Sequence, residues 1–390
     1  MTYAVRDHRA ARAYEAKSLA EIVRNFTPNW FTVTMGTGAL ALTINQFPLE
    51  IPALHDGAVV LWLANIALFS LFSIAYAARW VFFFDGARRI FDHPVMSMFF
   101  GAIPMGLATI LNGFLVFGPP LFGDAAISIA HVLWWVDVAM SLACGLAIPY
   151  FMFTRQEHSV EKLTAVWLLP IVAAEVAAAS TALLVPHLAA DEAYAVLLLG
   201  YVLWAYSVPL AMSILTLLVL RLALHKLPER DMGASAWLAL GPIGTGALGL
   251  VLLGGEAPAI FAANGLRSVG DTAFGLGVIG GTALWGYGVW WFALAVLKTT
   301  RYLRDGLPFN LGWWGFTFPI AVYTMATLAL ARVTHFALFT ITGGVLVVCL
   351  AAFWAVVAAR TIHGARYGYL FDAPCLRSGK AVARFEADTV

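Results

Sequence analysis

The sequence predicts an all-α integral membrane protein in which ten transmembrane helices form five helical hairpins around a central pore. Three observations predict this class. Of the 390 residues, 61% are hydrophobic and 12% are charged, and this charged share is about half that of a soluble domain. Basic residues cluster in alternate connections, and proline recurs in alternate apolar stretches. The composition excludes a disordered chain, a disulfide scaffold and nearly every soluble class, and the net charge of +1 gives no reason to expect nucleic-acid binding.

A helix that crosses a bilayer needs about 20 apolar residues, and ten stretches meet this condition. They are Trp30–Phe47, Ala58–Phe83, Val95–Phe117, Ala126–Phe153, Leu163–Leu184, Tyr194–Leu220, Ala234–Leu253, Thr272–Leu297, Gly312–Ala331 and Phe336–Ala359. Because the connections are short, we predict one transmembrane domain over residues 28–360, with tails at residues 1–27 and 361–390. The first 25 residues contain no apolar core of the kind that marks a cleaved signal peptide.

The basic residues predict the orientation of the helices. If both termini are cytoplasmic, 21 of the 23 Lys and Arg residues fall on the cytoplasmic side, and only Arg267 and Arg332 fall outside. Cytoplasmic connections of membrane proteins carry such an excess of Lys and Arg. This split therefore predicts an even number of helices with both termini in the cytoplasm. We also expect a bacterial-type inner membrane protein.

A proline recurs inside four of the odd-numbered apolar stretches. The strings are FFGAIPMGLAT at Pro104, VWLLPIVAAE at Pro170, LALGPIGTGALG at Pro242 and GFTFPIAVYT at Pro319. A proline inside a helix removes a backbone hydrogen bond and bends the helix, and such breaks are tolerated in membranes where the backbone is buried in protein or lines a cavity. We therefore predict five repeated hairpins whose odd helices are bent and line one central path.

Five segments resemble the tellurite-resistance/dicarboxylate transporter family, which includes slow anion channels, fungal malate transporters and sulfite exporters. The segments are NFTPNWFTVTMGTGALAL, LPIVAAEVAAAS, LWAYSVPLAMSILTLLVLRLALHKLP, GPIGTGALGLVLLG and PFNLGWWGFTFPIAVYTMATLAL. The resemblance implies five hairpins around a pore in each subunit of a homotrimer. It also implies a pore gate at the phenylalanine before the proline of the ninth helix, which is Phe318 here. Phe316 is the next candidate for the gate.

Two acidic residues, Asp137 and Glu175, lie deep inside predicted helices. A charged side chain is costly in lipid, so both should face protein or water. Glu175 lies on an odd helix five residues after Pro170. A titratable acid beside an anion path is a natural proton-coupling group, and a bare carboxylate there would repel the anion. The alternative for both acids is a structural hydrogen bond between helices.

The position of Glu175 relative to the gate raises a geometric conflict. Thr109 and Thr324 stand at the same spacing from their prolines as Glu175, whereas Phe318 precedes its own proline. Six residues along an α-helix leave about 120° between Phe318 and Thr324. Both side chains cannot point at one axis unless the bend rotates the helix, and the sequence leaves this open.

The middle of every predicted helix lacks Lys and Arg, so an anion path would depend on hydroxyl groups, backbone groups and the charge of its mouths. The candidate path residues are Thr34, Thr37, Thr109, Asn112, Thr245, Thr324 and Thr327. The alternative for each is a hydrogen bond that packs one helix against another. Arg332, His335 and His187 are candidates for the outer mouth, and ordinary positioning of Arg332 at the membrane surface is the alternative.

These observations and the resemblance predict a transporter or channel for small anions, not an enzyme, with C4-dicarboxylates such as malate and succinate as the first substrate class and proton coupling as an option. Sulfite efflux and a passive channel gated by a pore phenylalanine are the alternatives, and the stretch HKLP…GPIG favours sulfite. A haem-binding oxidoreductase is a remote alternative, because His131 is the one histidine well inside a predicted helix. We expect no cofactor and no metal site, since the three cysteines lack metal-ligand spacing.

Overall fold

The structure is a computed structural model that describes residues 17–377, and these residues form helices and connections without a strand. The ten long helices, labelled in chain order, are α1 (Phe31–Ile44), α2 (Pro52–Phe82), α3 (Ala102–Val116), α4 (Asp124–Thr154), α5 (Leu169–Leu184), α6 (Ala190–His225), α7 (Leu240–Ala263), α8 (Arg267–Asp305), α9 (Phe318–Thr334) and α10 (Ala337–Arg366). Residues 1–16 and 378–390 of the two predicted tails lie outside the described residues. In the described part, α10 extends past the predicted domain end at residue 360.

Within the described range, nine helical segments are long and apolar enough to cross a membrane. The remaining predicted span, α1, has 14 residues and ends before the predicted limit at Phe47. It is preceded by the 3-10 turn Pro28–Trp30, and together the two form a continuous buried helical stretch from Pro28 to Ile44. The all-helical membrane fold is confirmed. The first helix, α1, is shorter than the sequence indicated.

Each odd helix follows a 3-10 segment, and this junction replaces the bend that proline was expected to make. The segments are Pro28–Trp30, Met96–Gly101, Ala165–Leu168, Arg230–Trp237 and Leu311–Phe316. The four prolines Pro104, Pro170, Pro242 and Pro319 lie in the first turn of the α-helix that follows. First-turn backbone N–H groups have no partner inside the helix, so proline costs no hydrogen bond there. The prediction that these prolines lie inside continuous α-helices is therefore wrong. The helical stretch is interrupted just before each proline, where 3-10 geometry changes to α geometry.

The odd helices form a closed inner ring, and the even helices surround it. Each odd helix contacts the next odd helix along the chain, and α9 closes the ring against α1. Each even helix packs against its own odd helix and against the following one. The most apolar windows of the odd spans are 72–94% buried, whereas those of the even spans are 22–39% buried. The predicted division into lining and surrounding helices is present in the fold.

The two ends of the described chain meet on one side of the ring. The ammonium group of Lys17 donates a hydrogen bond to the carbonyl of Phe371. The rings of Trp30 and Phe371 stack with their centroids 4.7 Å apart. All five odd helices begin on this side, because the chain returns to it along each even helix. An even number of crossings follows.

The ring closes tightly because glycine residues lie at its seams. A Cβ atom at Gly101 would overlap the backbone carbonyl of Leu169 at the seam between α3 and α5. At Gly244 on α7, a Cβ atom would lie 2.6 Å from the backbone nitrogen of Tyr323 on α9. Small residues let membrane helices approach at backbone distance in this way.

We predict that Gly244→Ala lowers the free energy of unfolding by about 1–3 kcal/mol, as overpacking does in tight interiors. The matched control is Gly241→Ala on the same helix, because a Cβ atom at Gly241 meets no atom within 4 Å. Thermal unfolding in detergent compares the two variants. Equal stability of both would contradict the close contact between α7 and α9.

Candidate functional site

Two cavities lie between the five odd helices. The wide cavity, about 670 Å³, lies toward the C-terminal ends of the odd helices and is lined by residues of all five. The narrow cavity, about 230 Å³, lies toward their N-terminal ends and is lined by residues of all five 3-10 junctions, with Pro374 of the C-terminal segment. Because every repeat contributes to both cavities, they lie along one path through the middle of the ring.

The boundary between the cavities is marked by one phenylalanine and one glycine. Gly315, in the 3-10 segment before α9, lines the narrow cavity, and Phe318, the first residue of α9, lines the wide one. Leu238, two residues before α7, lines the narrow cavity, and Thr245 of α7 lines the wide one. Gly241 lies between them on the same helical face, and it is buried, yet a Cβ atom there would face open space. Phe318 thus lies at the inner end of the wide cavity, and the missing side chain of Gly241 leaves open space between the Leu238 and Thr245 positions.

The helix geometry explains why Phe318 lies at this boundary. It is the first residue of α9, directly after the 3-10 segment Leu311–Phe316. Pro319 needs no N–H in this first turn, and Thr317 takes φ −99° and ψ −69° at the change of geometry. The side chain of Phe318 is 3% exposed.

Phe316, the other candidate gate, lies in a different environment. Its ring is stacked on Phe353 of α10, with centroids 5.7 Å apart. It also contacts Trp237 and Trp313 at 5.9 and 5.6 Å. Phe316 lines neither cavity and belongs to an aromatic cluster behind the ring.

Three of the seven predicted polar path residues line the wide cavity, namely Thr109, Asn112 and Thr245. The Thr109 hydroxyl is already engaged, because it donates to the Gly106 carbonyl at 2.8 Å and accepts from Asn65 at 3.1 Å. The Thr245 hydroxyl and the Asn112 Oδ1 atom are buried without a hydrogen-bond partner in the described chain. The Thr245 hydroxyl and the Asn112 Oδ1 atom are therefore buried, unpartnered polar atoms in the mainly apolar wall that the structure describes.

The other four polar candidates lie away from both cavities and pack the helices. The Thr34 hydroxyl donates to the Phe31 carbonyl at 2.8 Å, and that of Thr324 donates to the Ile320 carbonyl at 2.7 Å. Thr37 accepts from the Trp354 indole at 3.0 Å, and Thr327 accepts from the Trp285 indole at 2.8 Å. These four hydroxyls therefore make the hydrogen bonds within and between helices that were the alternative to a place on the path.

Glu175 and Asp137 line neither cavity. The Glu175 carboxyl of α5 lies near the Ser207 hydroxyl of α6, which donates to the Ile171 carbonyl at 2.8 Å. Asp137 lies on α4. Both acidic side chains are fully buried, and their carboxylate oxygens lack hydrogen-bond partners among the described residues. The Trp134 indole of α4 donates to the Ala177 carbonyl of α5 at 3.3 Å, so the two acids lie at a similar depth along these neighbouring helices. The geometric conflict between the spacing of Phe318 and that of Thr324 is resolved in favour of Phe318, since Thr324 faces away from the path.

Of the predicted mouth residues, Arg332 lines the end of the wide cavity, where its guanidinium donates to Gln46 at 3.0 Å. Glu50 lies at the same mouth, so the mouth carries charges of both signs. His335 ends α9 with a left-handed backbone, φ 53°, and His187 ends the turn after α5. Both histidines are exposed and line neither cavity.

His131, the residue behind the haem alternative, lies on the surrounding helix α4. Its Nε2 atom is 3.0 Å from a carboxylate oxygen of Glu192 on α6. It does not line the path between the cavities.

Most of the wall residues that sequence reasoning missed are apolar. Val176, Ala179 and Leu183 of α5 line the wide cavity with the spacing of one helical face. On α7, the same face runs through Thr245, Leu248 and Leu252. A spacing of three and four residues, counted onward from the proline, could have indicated which face lines the cavity. The odd helices are mainly apolar on every side, however, so hydrophobicity does not distinguish that face from the others.

Comparisons with known proteins find relatives that match most of the chain. The profile of the voltage-dependent anion channel family matches residues 25–362. A sulfite efflux pump of Arthroderma otae is 38% identical over 87% of this chain and 91% of its own length. An uncharacterized transporter of Methanocaldococcus jannaschii is 27% identical over 91% of this chain and 98% of its own length. A malic acid transport protein of Schizosaccharomyces pombe is 23% identical over 86% of this chain and 77% of its own length.

We predict that Gly241→Val lowers flux through the path several-fold, because the added methyl groups would fill the open space beside Phe318. Flux into proteoliposomes, normalised to folded protein, measures the change. Gly275→Val is the matched control, since a Cβ atom at Gly275 on α8 also meets no atom within 4 Å but lies outside the ring. Unchanged flux in Gly241→Val would mean that solutes do not pass this face of α7.

Proposed function

The chain belongs to the voltage-dependent anion channel family, and we propose that it conducts a small monovalent oxyanion of the sulfite type across the membrane. The observation that carries this proposal is the lining of the path. The narrow cavity ends at Leu238 and Gly315, the wide cavity begins at Thr245 and Phe318, and the described wall of both is mainly apolar, with buried unpartnered polar atoms at Asn112 Oδ1 and the Thr245 hydroxyl. Such a wall supports passage of a weakly hydrated anion that gains a few hydrogen bonds.

The charge of the permeating species decides between the candidate substrates. Arg332 is the basic residue among those that line the two cavities, and it lies at the mouth beside Glu50. Moving a charge out of water is costly without a fixed counter-charge, and the cost rises steeply with the number of charges. A monovalent anion is therefore favoured over a dicarboxylate carrying two charges. The greater identity to a sulfite efflux pump than to a malic acid transport protein also supports this order.

A C4-dicarboxylate is the second candidate substrate. The wide cavity of about 670 Å³ has room for a four-carbon acid. The relative from Schizosaccharomyces pombe is named as a malic acid transport protein.

Flux into proteoliposomes tests the proposal. The panel contains sulfite, nitrate, chloride, malate and succinate, each measured with and without a pH gradient. We expect sulfite flux to exceed malate and succinate flux, and to exceed it most at the lower pH, where more of the sulfite carries a single charge. Dicarboxylate flux above sulfite flux would move the assignment to the second candidate, and no flux of any anion would overturn the transport function.

We predict that Phe318→Ala raises anion flux several-fold. An aromatic ring at a constriction offers no donor to an anion and favours a dry gap, and its removal lets water enter. Flux is again normalised to folded protein in the membrane.

Phe316→Ala is the matched control for this gate. Its ring is packed against three other aromatic rings, so truncation should cost about 3–5 kcal/mol of stability, as in soluble cores, without raising normalised flux. A rise in Phe316→Ala alone would move the gate to Phe316. If neither variant conducts more, the path is closed by another part of the ring.

We infer that conduction is passive and that Glu175 is a packing residue. Its carboxyl group is fully buried near Ser207 of α6 and lines neither cavity. We predict that Glu175→Gln keeps the pH dependence of flux, because glutamine preserves the shape and polarity of the side chain but cannot exchange a proton. Asp137→Asn should behave in the same way. A flux that no longer responds to the pH gradient in folded Glu175→Gln would support proton coupling through this residue instead.

We propose further that the ends of the odd helices near Lys17 and Phe371 face the cytoplasm, so that the narrow cavity opens inward. Reporter fusions at residue 390 that are active only inside the cell test this orientation.

We also propose a homotrimer in a bacterial-type inner membrane, with one path per subunit and without enzymatic activity. The mass of the detergent-solubilised protein tests the subunit number.

A further inference from the structure

Two buried cations lie side by side on neighbouring surrounding helices, next to the narrow cavity. Arg221 of α6 is 4% exposed and Lys298 of α8 is 7% exposed. Both line a separate small cavity of about 10 Å³. Ser235 of the 3-10 segment before α7 lines this small cavity and the narrow cavity as well. The two cations therefore border the conduction path through one shared wall.

The two cations differ in how their donors are used. The Nε and Nη2 atoms of Arg221 donate to the Glu161 carbonyl at 2.9 and 2.7 Å, and its Nη1 atom donates to the Lys226 carbonyl. The ammonium group of Lys298 has no hydrogen bond to any described residue. The Tyr302 hydroxyl, which borders the same cavity, is engaged with the Pro228 carbonyl at 2.7 Å.

Neither cation has an acidic partner in the described chain. The salt bridges there join other residues, and the nearest one on α8 pairs Arg301 with Asp305. Glu161 offers its backbone carbonyl to Arg221, while its own side chain is exposed. The two side chains are thus buried together without a carboxylate partner in the described chain, and the Lys298 ammonium keeps access to the small cavity.

In the first hairpin, a single buried cation links the end of the even helix to the segment before the odd helix. Arg79 of α2 is fully buried and donates to the Phe26 carbonyl at 2.6 Å, tying the end of α2 to the segment before α1. Arg221 makes the equivalent tie to Glu161 in the third hairpin. Lys298 adds a second positive charge that this tie does not need.

We propose that Lys298 and Arg221 form an anion-binding site beside the path, separate from the conduction path itself. A buried charge without a partner is costly, and a bound anion offsets that cost. A cavity of this size holds about one small atom, so the ligand is a chloride-sized ion or one anionic oxygen of a larger group. That oxygen can come from a free oxyanion or from a lipid phosphate at the membrane surface.

Thermal unfolding of purified protein in a neutral detergent tests the site without measuring transport. Chloride replaces gluconate at constant ionic strength, and sulfite and a short-chain phosphatidylglycerol are titrated in parallel. At least one of the three ligands should raise the unfolding temperature of the wild type by about 2–4 °C, because a ligand that binds the folded state stabilises it. Stabilisation by the lipid alone would identify a headgroup phosphate, and stabilisation by chloride or sulfite would identify a free anion.

Lys298→Met should lose this response while remaining at least as stable as the wild type in gluconate, since the uncompensated charge is gone. Lys298→Arg should keep the response. Lys162→Met, which removes an exposed cation close to Glu161 in sequence, is the matched control and should respond as the wild type does. The proposal is overturned if no ligand stabilises the wild type or if Lys298→Met responds equally. Because flux is not measured, failure of the conduction proposal would leave this result unaffected.

Discussion

The architecture depends on how closely five helices can approach one another around a common axis. Helices that lie side by side in a membrane gain little from the hydrophobic effect and are held by close packing. The seams at Gly101 and Gly244 bring a backbone against a backbone, where any side chain would collide. This close approach sets the diameter of the ring. A wider ring would leave a water-filled hole, and the surrounding helices could not touch two neighbours at once.

The second determinant is the change of helical geometry at the start of each odd helix. A 3-10 segment winds more tightly than an α-helix and rises further per residue, so the faces of the two parts are rotated relative to each other. In α9 the change falls between Phe316, which packs behind the ring, and Phe318, which lines the path. Two phenylalanines two residues apart thus face different surroundings, because the helix changes from 3-10 to α geometry between them.

Sequence patterns predicted the membrane class, the even number of crossings and the alternation of inner and surrounding helices, since these depend on composition and on where charge can lie. The rotation of each inner helix was harder to predict. A helix such as α1 is buried on every side, so hydrophobic periodicity cannot distinguish the wall of the path from a contact with a neighbour. This is why Thr37 and Thr327 were placed on the path, although their hydroxyls accept from tryptophans of surrounding helices. Phe318 was located by resemblance to a family, whereas Gly241 has no side chain and carries no signal that sequence patterns could use.

The meeting of Trp30 with Phe371 has a consequence for biosynthesis. These residues are joined by ring stacking across almost the whole described chain, and Pro374, three residues after Phe371, forms part of the wall of the narrow cavity. A ribosome makes the first hairpin long before the last one, so α1 must wait in the membrane with one flank uncovered until α9 and the final segment emerge. Contacts this distant in sequence form late. The wall of the narrow cavity is therefore complete only after Pro374 has been synthesised, and a shorter nascent chain in the membrane carries an unfinished ring.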